Sequence, residues 1–398
     1  MKVLLSAFSC EPAKGSEPEV GYRALLAAAQ EHQVWAIVSS TGLPALQRTL
    51  LTHPLRSRIT LIPVPVGADE GRLGLVSFHR YYDRWQRTIG PVALDLDRRV
   101  DFDLIHHVTL STVWTRVGVA VVAKPLVWGP VGGGVDPPLR LLRELGWRGL
   151  VEEGARLGAR RSLARLPQIR SAGRTAAVTL VQNRPTARRL RTAGPVAMLT
   201  NAAAIDLPQV PASGPRSRDI AFVGRLLPWK GPRLAVRALR YLRDPEAVLR
   251  FYGSGPERGR VERAAHRWGL DGRVRFEGWL ARDDLLRRLA TAGALLHPSL
   301  HDDTGLSVAE ALALGTPVVC LDHGGPPEVL RLWDGHLGRS VAPGSPAATA
   351  RRLAAALDDA LAESPPVTSG PARPRTTFDK ALPLAYQAAV NASSTRRG

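Results

Sequence analysis

Two short stretches of this 398-residue chain hold residues whose types and spacing suit chemistry on an anion. The first, Ala221 to Gly231, reads AFVGRLLPWKG: a buried strand ends at Gly224, and Arg225 and Lys230 follow just before a helix. Glycine lets a ligand approach the backbone closely. An Arg fork, a Lys point charge and a helix N-terminus together suit a diphosphate. The plainer reading is a surface loop with two solvated cations, but Lys230 is the only Lys between Lys124 and Lys380. The second stretch, His297 to Val319, reads HPSLHDDTGLSVAEALALGTPVV. A strand gives way to an acidic turn, Gly305 opens a helix, and Gly315, Thr316 and Pro317 end it. The backbone N–H groups of Gly305, Leu306 and Ser307 are expected to be free for phosphate. Glu310 shares a face with Leu306, Ala309 and Ala313 and is costly to bury alone. A pair of ribose hydroxyls would satisfy it; the plainer reading is an exposed Glu behind helix-N-terminal acids, Asp302 and Asp303.

The elements that must position these residues alternate between short apolar runs and longer amphipathic ones. Lys2–Phe8, Gln33–Val38, Arg58–Val64, Leu104–His107, Pro125–Trp128 and Ala177–Gln182 read as strands, with helices at Glu17–Glu31 and Leu73–Asp97. The pattern restarts with strands at Asp219–Val223, Val248–Tyr252, Val274–Glu277, Ala294–His297 and Pro317–Cys320 and helices between them. Strands separated by helices imply parallel sheets covered on both faces, an α/β class of two Rossmann-like, doubly wound domains. The expected division is 1–206, a turn-rich linker at 207–218, 219–376, and a last helix at 377–392 packing back on the first domain. Two such domains predict a ligand in a cleft facing the strand carboxyl ends.

Composition narrows the class of protein. Two cysteines, Cys10 and Cys320, are too few for a disulfide scaffold. No apolar run reaches a membrane span, and the apolar start meets Glu11, Lys14 and Glu17 too soon for a signal peptide. A cytoplasmic protein is expected. The net charge of +19 suggests a polyanionic partner, yet only five of the 54 basic residues are Lys, a bias that GC-rich coding produces. Arg156, Arg160, Arg161, Arg165, Arg170 and Arg174 read as a solvated helix face without aromatics to stack bases, so nucleic acid is not expected. Peripheral membrane contact rests on Leu73–Trp85, where Phe78, Tyr81 and Tyr82 mix with Arg80 and Arg84.

The two chemistry-bearing stretches, strand–GR–x4–KG and then an acid, seven residues, Glu310 and GTPVV, resemble retaining glycosyltransferases of family 4. The resemblance extends through FYGSG at Phe251–Gly255, VRFEGWL at Val274–Leu280 and GGPPE at Gly324–Glu328. In the first half, CEPAKGSEPEVG at Cys10–Gly21 and WGPVGGG at Trp128–Gly134 resemble one subgroup. The resemblance implies the two-domain GT-B fold and transfer of a sugar from a nucleotide-diphosphate donor, UDP- or GDP-linked, to a hydroxyl acceptor without a metal or resident cofactor. It implies that Arg225 and Lys230, after Gly224, bind the diphosphate and that Glu310 binds the ribose. Asp302 would meet donor-sugar hydroxyls, with Gly305, Leu306 and Ser307 near the phosphates. Trp279 and Leu280 would hold the base, Gly15 and Ser16 would reach the phosphate from the other domain, and His107, or its neighbour His106, would stand near the reacting centre. The acceptor would be a glycan, a lipid-linked glycan or a natural product.

Departures stand beside the match. Asp302-Asp303-Thr304-Gly305 replaces the usual Glu-Gly-Phe-Gly, and Ala202 stands where Gly is usual. The pair His106–His107 follows Leu104 and Ile105, so alternation is expected to bury one ring and present the other. Asp95-Leu96-Asp97 imitates a metal motif but lies in a helix, where acids two apart diverge. Competing readings are a sugar-nucleotide epimerase, a glycogen-type phosphorylase, and a membrane-surface or nucleic-acid binder built on the Arg-rich stretch 156–191.

Overall fold

The computed structural model describes residues 1–65, 75–207, 214–333, 337–363, 367 and 374–394. Half of the expected linker, most of the Pro365–Pro374 break, the last residues of the tail and Leu73 lie outside the described residues. The chain divides into two compact units: Met1–Gly134, Gly158–Ile205 and Thr376–Gly398 in one, Val135–Leu157 and Asp206–Arg375 in the other.

In chain order the elements are β1 (Lys2–Ala7), α1 (Ser16–Ala29), β2 (Gln33–Val38), α2 (Leu43–Leu51), β3 (Ile59–Pro63), α3 (Leu75–Val100), β4 (Leu104–His107) and β5 (Leu126–Val131). There follow α4 (Gly146–Leu163), α5 (Pro167–Thr175), β6 (Ala176–Val181), α6 (Arg184–Arg189) and β7 (Val196–Met198). The second run is β8 (Ile220–Val223), α7 (Pro232–Leu239), β9 (Leu249–Tyr252), α8 (Arg258–Arg267), β10 (Val274–Gly278) and α9 (Arg282–Thr291). It continues through β11 (Ala294–His297), α10 (Leu306–Ala313), β12 (Val318–Leu321), α11 (Pro326–Leu332), β13 (Gly338–Val341) and α12 (Pro346–Ala362), and α13 (Phe378–Ser394) ends the chain.

The first unit holds a seven-stranded parallel sheet in the order β3-β2-β1-β4-β5-β6-β7. The second holds a six-stranded parallel sheet in the order β10-β9-β8-β11-β12-β13. Central strands are mainly apolar, as sheets covered on both faces demand: Val3, Leu4, Leu5 and Ala7 are wholly buried, as are Ala294 and Leu295. In each sheet the order reverses once, between β1 and β4 and between β8 and β11. Loops diverge at that point and leave a crevice outside the strand carboxyl ends.

Three expectations are corrected here. Residues 135–157 do not stay with the first unit: Leu141 and Leu145 are buried in the second unit's core, and Glu144 pairs with Arg237 at 3.0 Å. Apolar side chains joined the second unit's core, which no boundary at 206 anticipates. Of the segment read as a membrane contact, the described aromatic residues turn toward the interior, while Arg80 and Arg84 are exposed. Tyr82 and Trp85 are buried in α3, and Phe78, Tyr81, Tyr82 and Trp85 all set their ring edges against Phe8. The Arg-rich face is only partly solvated. Arg160 is buried and donates to the Gly133 carbonyl at 3.0 Å, while Arg156 pairs with Glu153 and Asp136. Among the described residues no helix is long and apolar enough to cross a membrane.

Helix α13 returns to the first unit. Leu382, Tyr386 and Ala389 are wholly buried there, with the Tyr386 hydroxyl 2.8 Å from His106 Nδ1.

Candidate functional site

In the second unit the crevice is walled by the segments that leave β8 and β11. After β8 the chain turns at Gly224, exposes Arg225, and forms a short 3-10 turn over Pro228–Lys230. Gly231 has φ 70°, and a Cβ there would stand 2.2 Å from the Pro298 carbonyl oxygen. Only glycine lets these two backbones touch. Leu300 N–H donates to the Trp229 carbonyl at 2.7 Å, so the Lys230 loop and the turn after β11 are stitched together.

That stitching presents Lys230 to Asp302. Lys230 Nζ lies 2.6 Å from Asp302 Oδ2, and His297 Nε2 lies 3.2 Å from the same oxygen. The other oxygen, Oδ1, accepts the N–H of Thr304 at 3.2 Å and of Gly305 at 3.0 Å. Gly324 and Gly325 support the turn from behind, with Gly325 N–H donating to the Asp302 carbonyl at 2.9 Å. Burial alone would raise the Asp302 carboxyl, but the Lys230 ammonium and His297 outweigh it and hold the group well below the usual carboxylate range. Burial lowers the His297 ring, against the pull of Asp302.

Helix α10 begins at Leu306 behind Gly305, which has φ 80°. The expectation of three free N–H groups is corrected: Asp302 takes that of Gly305, and the first bond within the helix runs from Val308 N–H to the Gly305 carbonyl at 2.9 Å. Leu306 and Ser307 form the opening turn, and Ser307 Oγ reaches His297 Nδ1 at 3.3 Å. Asp302 is likewise engaged within the protein. Each of its oxygens already has two partners. The side chain is one methylene shorter than Glu, which keeps it at the helix start.

Glu310 is buried on α10, as its apolar neighbours predicted, but the structure supplies a protein partner in place of ribose hydroxyls. Arg282 Nη1 stands 2.8 Å from Glu310 Oε1. Burial raises the Glu310 carboxyl and Arg282 opposes that rise. Trp279 and Leu280 lie between β10 and α9; the Trp279 indole is 70% exposed, and its N–H donates to Ser254 Oγ at 2.8 Å.

In the first unit, Gly15 caps α1 with φ 69° and Ser16 opens it at φ 53°, exposed. Sequence reasoning passed over Glu17. Its carboxylate accepts Leu110 N–H at 3.0 Å and Asn201 Nδ2–H at 3.0 Å, tying together the loops after β4 and β7. The two histidines of β4 are both wholly buried, which corrects the expectation that one would be presented. Alternation does turn them to opposite faces, but the sheet is covered on both. His106 Nε2–H donates to the Gly129 carbonyl at 2.8 Å, which leaves Nδ1 to accept from Tyr386. His107 lies 3.0 Å from Ser6 Oγ and 3.3 Å from the Tyr82 hydroxyl. Burial lowers the two rings to about 4 and about 3, so both are neutral. His107 is therefore enclosed by protein in this structure.

Asp95 is held by Arg98 and Arg99 and Asp97 by Lys124. Among the described residues no group of three or more His, Cys, Asp and Glu is placed to hold a metal ion.

Comparison with known proteins fits this geometry. Residues 206–366 match the family model of glycosyl transferases group 1. The match covers nearly all of the second unit's main segment. A 2-deoxystreptamine glucosyltransferase from Streptomyces kanamyceticus is 37% identical over 144 residues, 35% of this chain and 36% of that protein. The chain thus spans about a third of that curated relative's length. A 2-deoxystreptamine N-acetyl-D-glucosaminyltransferase from Streptomyces fradiae is 28% identical over 308 residues, 73% of this chain and 70% of that protein. Among solved structures, HepE of Anabaena in complex with UDP superposes with a TM-score of 0.53 at 17% identity, covering 100% of this chain and 98% of that one. The fold is GT-B, built from two Rossmann-like units.

Proposed function

We propose that this protein is a retaining glycosyltransferase that moves a sugar from a nucleotide-diphosphate donor to a hydroxyl acceptor. The observation that carries the reading is the meeting of Lys230 with the start of α10 at the carboxyl ends of β8 and β11. A cation and a helix N-terminus are held there by backbone contacts that leave little freedom. Arg225, exposed on the same loop, adds a planar fork for phosphate oxygens.

The donor is a UDP- or GDP-sugar. The support is the group 1 family model and the UDP found in the Anabaena relative. Glu310 and Arg282 face the nucleoside end, with Trp279 and Leu280 beside the base. As the glycosidic bond breaks, the electron pair leaves with the diphosphate, and Arg225, Lys230 and α10 stabilise that charge. The acceptor oxygen bonds to the anomeric carbon on the face the diphosphate leaves, and its proton passes to a departing phosphate oxygen. In this scheme the cations do the work of a divalent ion, and no resident cofactor takes part.

The acceptor belongs to the glycans or hydroxylated natural products. The two Streptomyces relatives are named for 2-deoxystreptamine, which makes it the first acceptor to try. The reaction takes place in the cytoplasm, where nucleotide sugars are made.

Lys230→Ala tests the reading. Transfer to acceptor should collapse while the melting temperature stays near the parent's; near-normal transfer would overturn it. Free sugar released without any transfer to acceptor would point instead to an epimerase or hydrolase.

A further inference from the structure

Lys230 faces two demands. It must be aimed in the empty protein, and it must be released to an incoming phosphate. Asp302 meets the first, at 2.6 Å, but a full carboxylate on a mostly buried lysine would also resist the second. The geometry around Asp302 supplies the missing element. His297 ends β11 with its side chain 5% exposed, and its Nε2 points at the same Oδ2 that holds Lys230.

We propose that His297 is a positioning residue for Lys230, acting through the Oδ2 atom of Asp302. A carboxylate oxygen can only accept, so His297 Nε2 carries the hydrogen and Nδ1 accepts from the Ser307 hydroxyl at 3.3 Å. The hydrogen bond draws charge from Oδ2, so the oxygen steers Lys230 without locking it. The backbone N–H groups of Thr304 and Gly305 pin Oδ1, so Asp302 cannot swing aside to make room. The chain Ser307–His297–Asp302–Lys230 therefore links the first turn of α10 to the cation, and a phosphate arriving at one end is registered at the other.

The resemblance that located Arg225, Lys230, Asp302 and Glu310 gives His297 no role. The proposal rests on the reading of Lys230 as a diphosphate ligand, and its test is arranged to separate the two. UDP binding is measured by titration calorimetry on the parent, Lys230→Ala, His297→Leu and His297→Gln. The stoichiometry reports the folded fraction in each. With His297→Leu, Oδ2 keeps its whole charge for Lys230, and UDP should bind on the order of tenfold more weakly at unchanged stoichiometry. With His297→Gln, a side-chain N–H can again reach Oδ2, and affinity should return to within about twofold of the parent.

Parent-like binding by His297→Leu, or binding by His297→Gln as weak as by His297→Leu, overturns the proposal, provided Lys230→Ala is itself impaired. If Lys230→Ala binds UDP like the parent, the diphosphate reading fails first. Should the Leu variant not fold, the ring nitrogens of the parent protein give a separate answer. Nitrogen-15 spectra should show His297 as the Nε2–H tautomer at neutral pH, and an Nδ1–H tautomer or an imidazolium would overturn the assignment.

Discussion

Removing Arg282 should cost stability in a way that depends on pH. Glu310 is 8% exposed and Arg282 is the partner within 3 Å of its carboxylate. Breaking a fully buried pair from one side costs about 3–5 kcal/mol. Arg282 is itself 34% exposed, so solvent screens part of its contribution and about 1–3 kcal/mol is the expected loss. For a unit of this size each kcal/mol moves the melting temperature by about 2–4 °C. The sign of the pH dependence follows from the direction of the shift. Burial holds the Glu310 carboxyl above its ordinary value, so the folded state keeps a proton that the unfolded chain has released. Stability then falls as pH rises from the ordinary Glu value to the folded one, and levels off above it. Without Arg282 the folded value rises further and the decline extends to higher pH. Melting curves of parent and Arg282→Ala should therefore nearly coincide near about pH 4, where the carboxyl is protonated, and separate toward neutrality. Adding Glu310→Gln to Arg282→Ala should recover most of the loss at neutral pH. An equal deficit at both pH values, or no recovery in the double variant, would refute the reasoning.

Two further outcomes follow from the same geometry. Asp302→Ala removes the oxygen that caps α10 and should lower stability by about 1–2 kcal/mol, whereas Asp302→Asn keeps a capping oxygen and should lose less, as thermal melts at neutral pH would show. Because the Asp302 carboxyl is held well below its ordinary value, its ionic share of stability is present above the ordinary Asp range and disappears as pH falls through the folded value, so the gap between parent and Asp302→Asn should close in strong acid. Tyr386→Phe removes the hydroxyl that donates to the buried His106 Nδ1 and should cost about 1–3 kcal/mol by denaturant titration; no change would mean that α13 is held by its apolar face alone.

What could be read from sequence depended on how far each signal is local. Central strands were legible because a parallel strand buried on both faces reads as a near-continuous apolar run, as in Val3, Leu4 and Leu5 of β1 and Ala294, Leu295 and Leu296 of β11. Strand β13, Gly338–Val341, reads GRSV at a half-exposed sheet edge and carries no such signal, and three-residue β7 is exposed throughout. The excursion of 135–157 was invisible because Leu141 and Leu145 are apolar in either unit; only the fold says which core receives them. At the site, Arg225, Lys230 and Glu310 stand out by residue type and spacing, and Asp302 by the resemblance. His297 and Arg282 do not, since each acts on a residue that other elements bring to it. Arg282 did leave a trace. A cation in the first turn of α9 opposes the helix dipole, and Glu310 is the reason it stands there.

The net charge of +19 invites a search for a polyanion, yet the site is close to internal balance. Lys230 is matched by Asp302 and Glu310 by Arg282, which leaves Arg225 as the site's cation with no ion pair among the described residues. With Arg225 and Lys230 both unpaired, the site would hold stray phosphate and the two cations would repel each other. Pairing Lys230 internally avoids both. Its cost is a competition that a single phosphate, meeting Arg225 alone, does not win easily. On the function proposed above, a diphosphate would engage Arg225 with one group and meet the Lys230–Asp302 pair with the other. On that reading, selectivity for two linked phosphates over one would arise from how the charges are paired, not from how many there are.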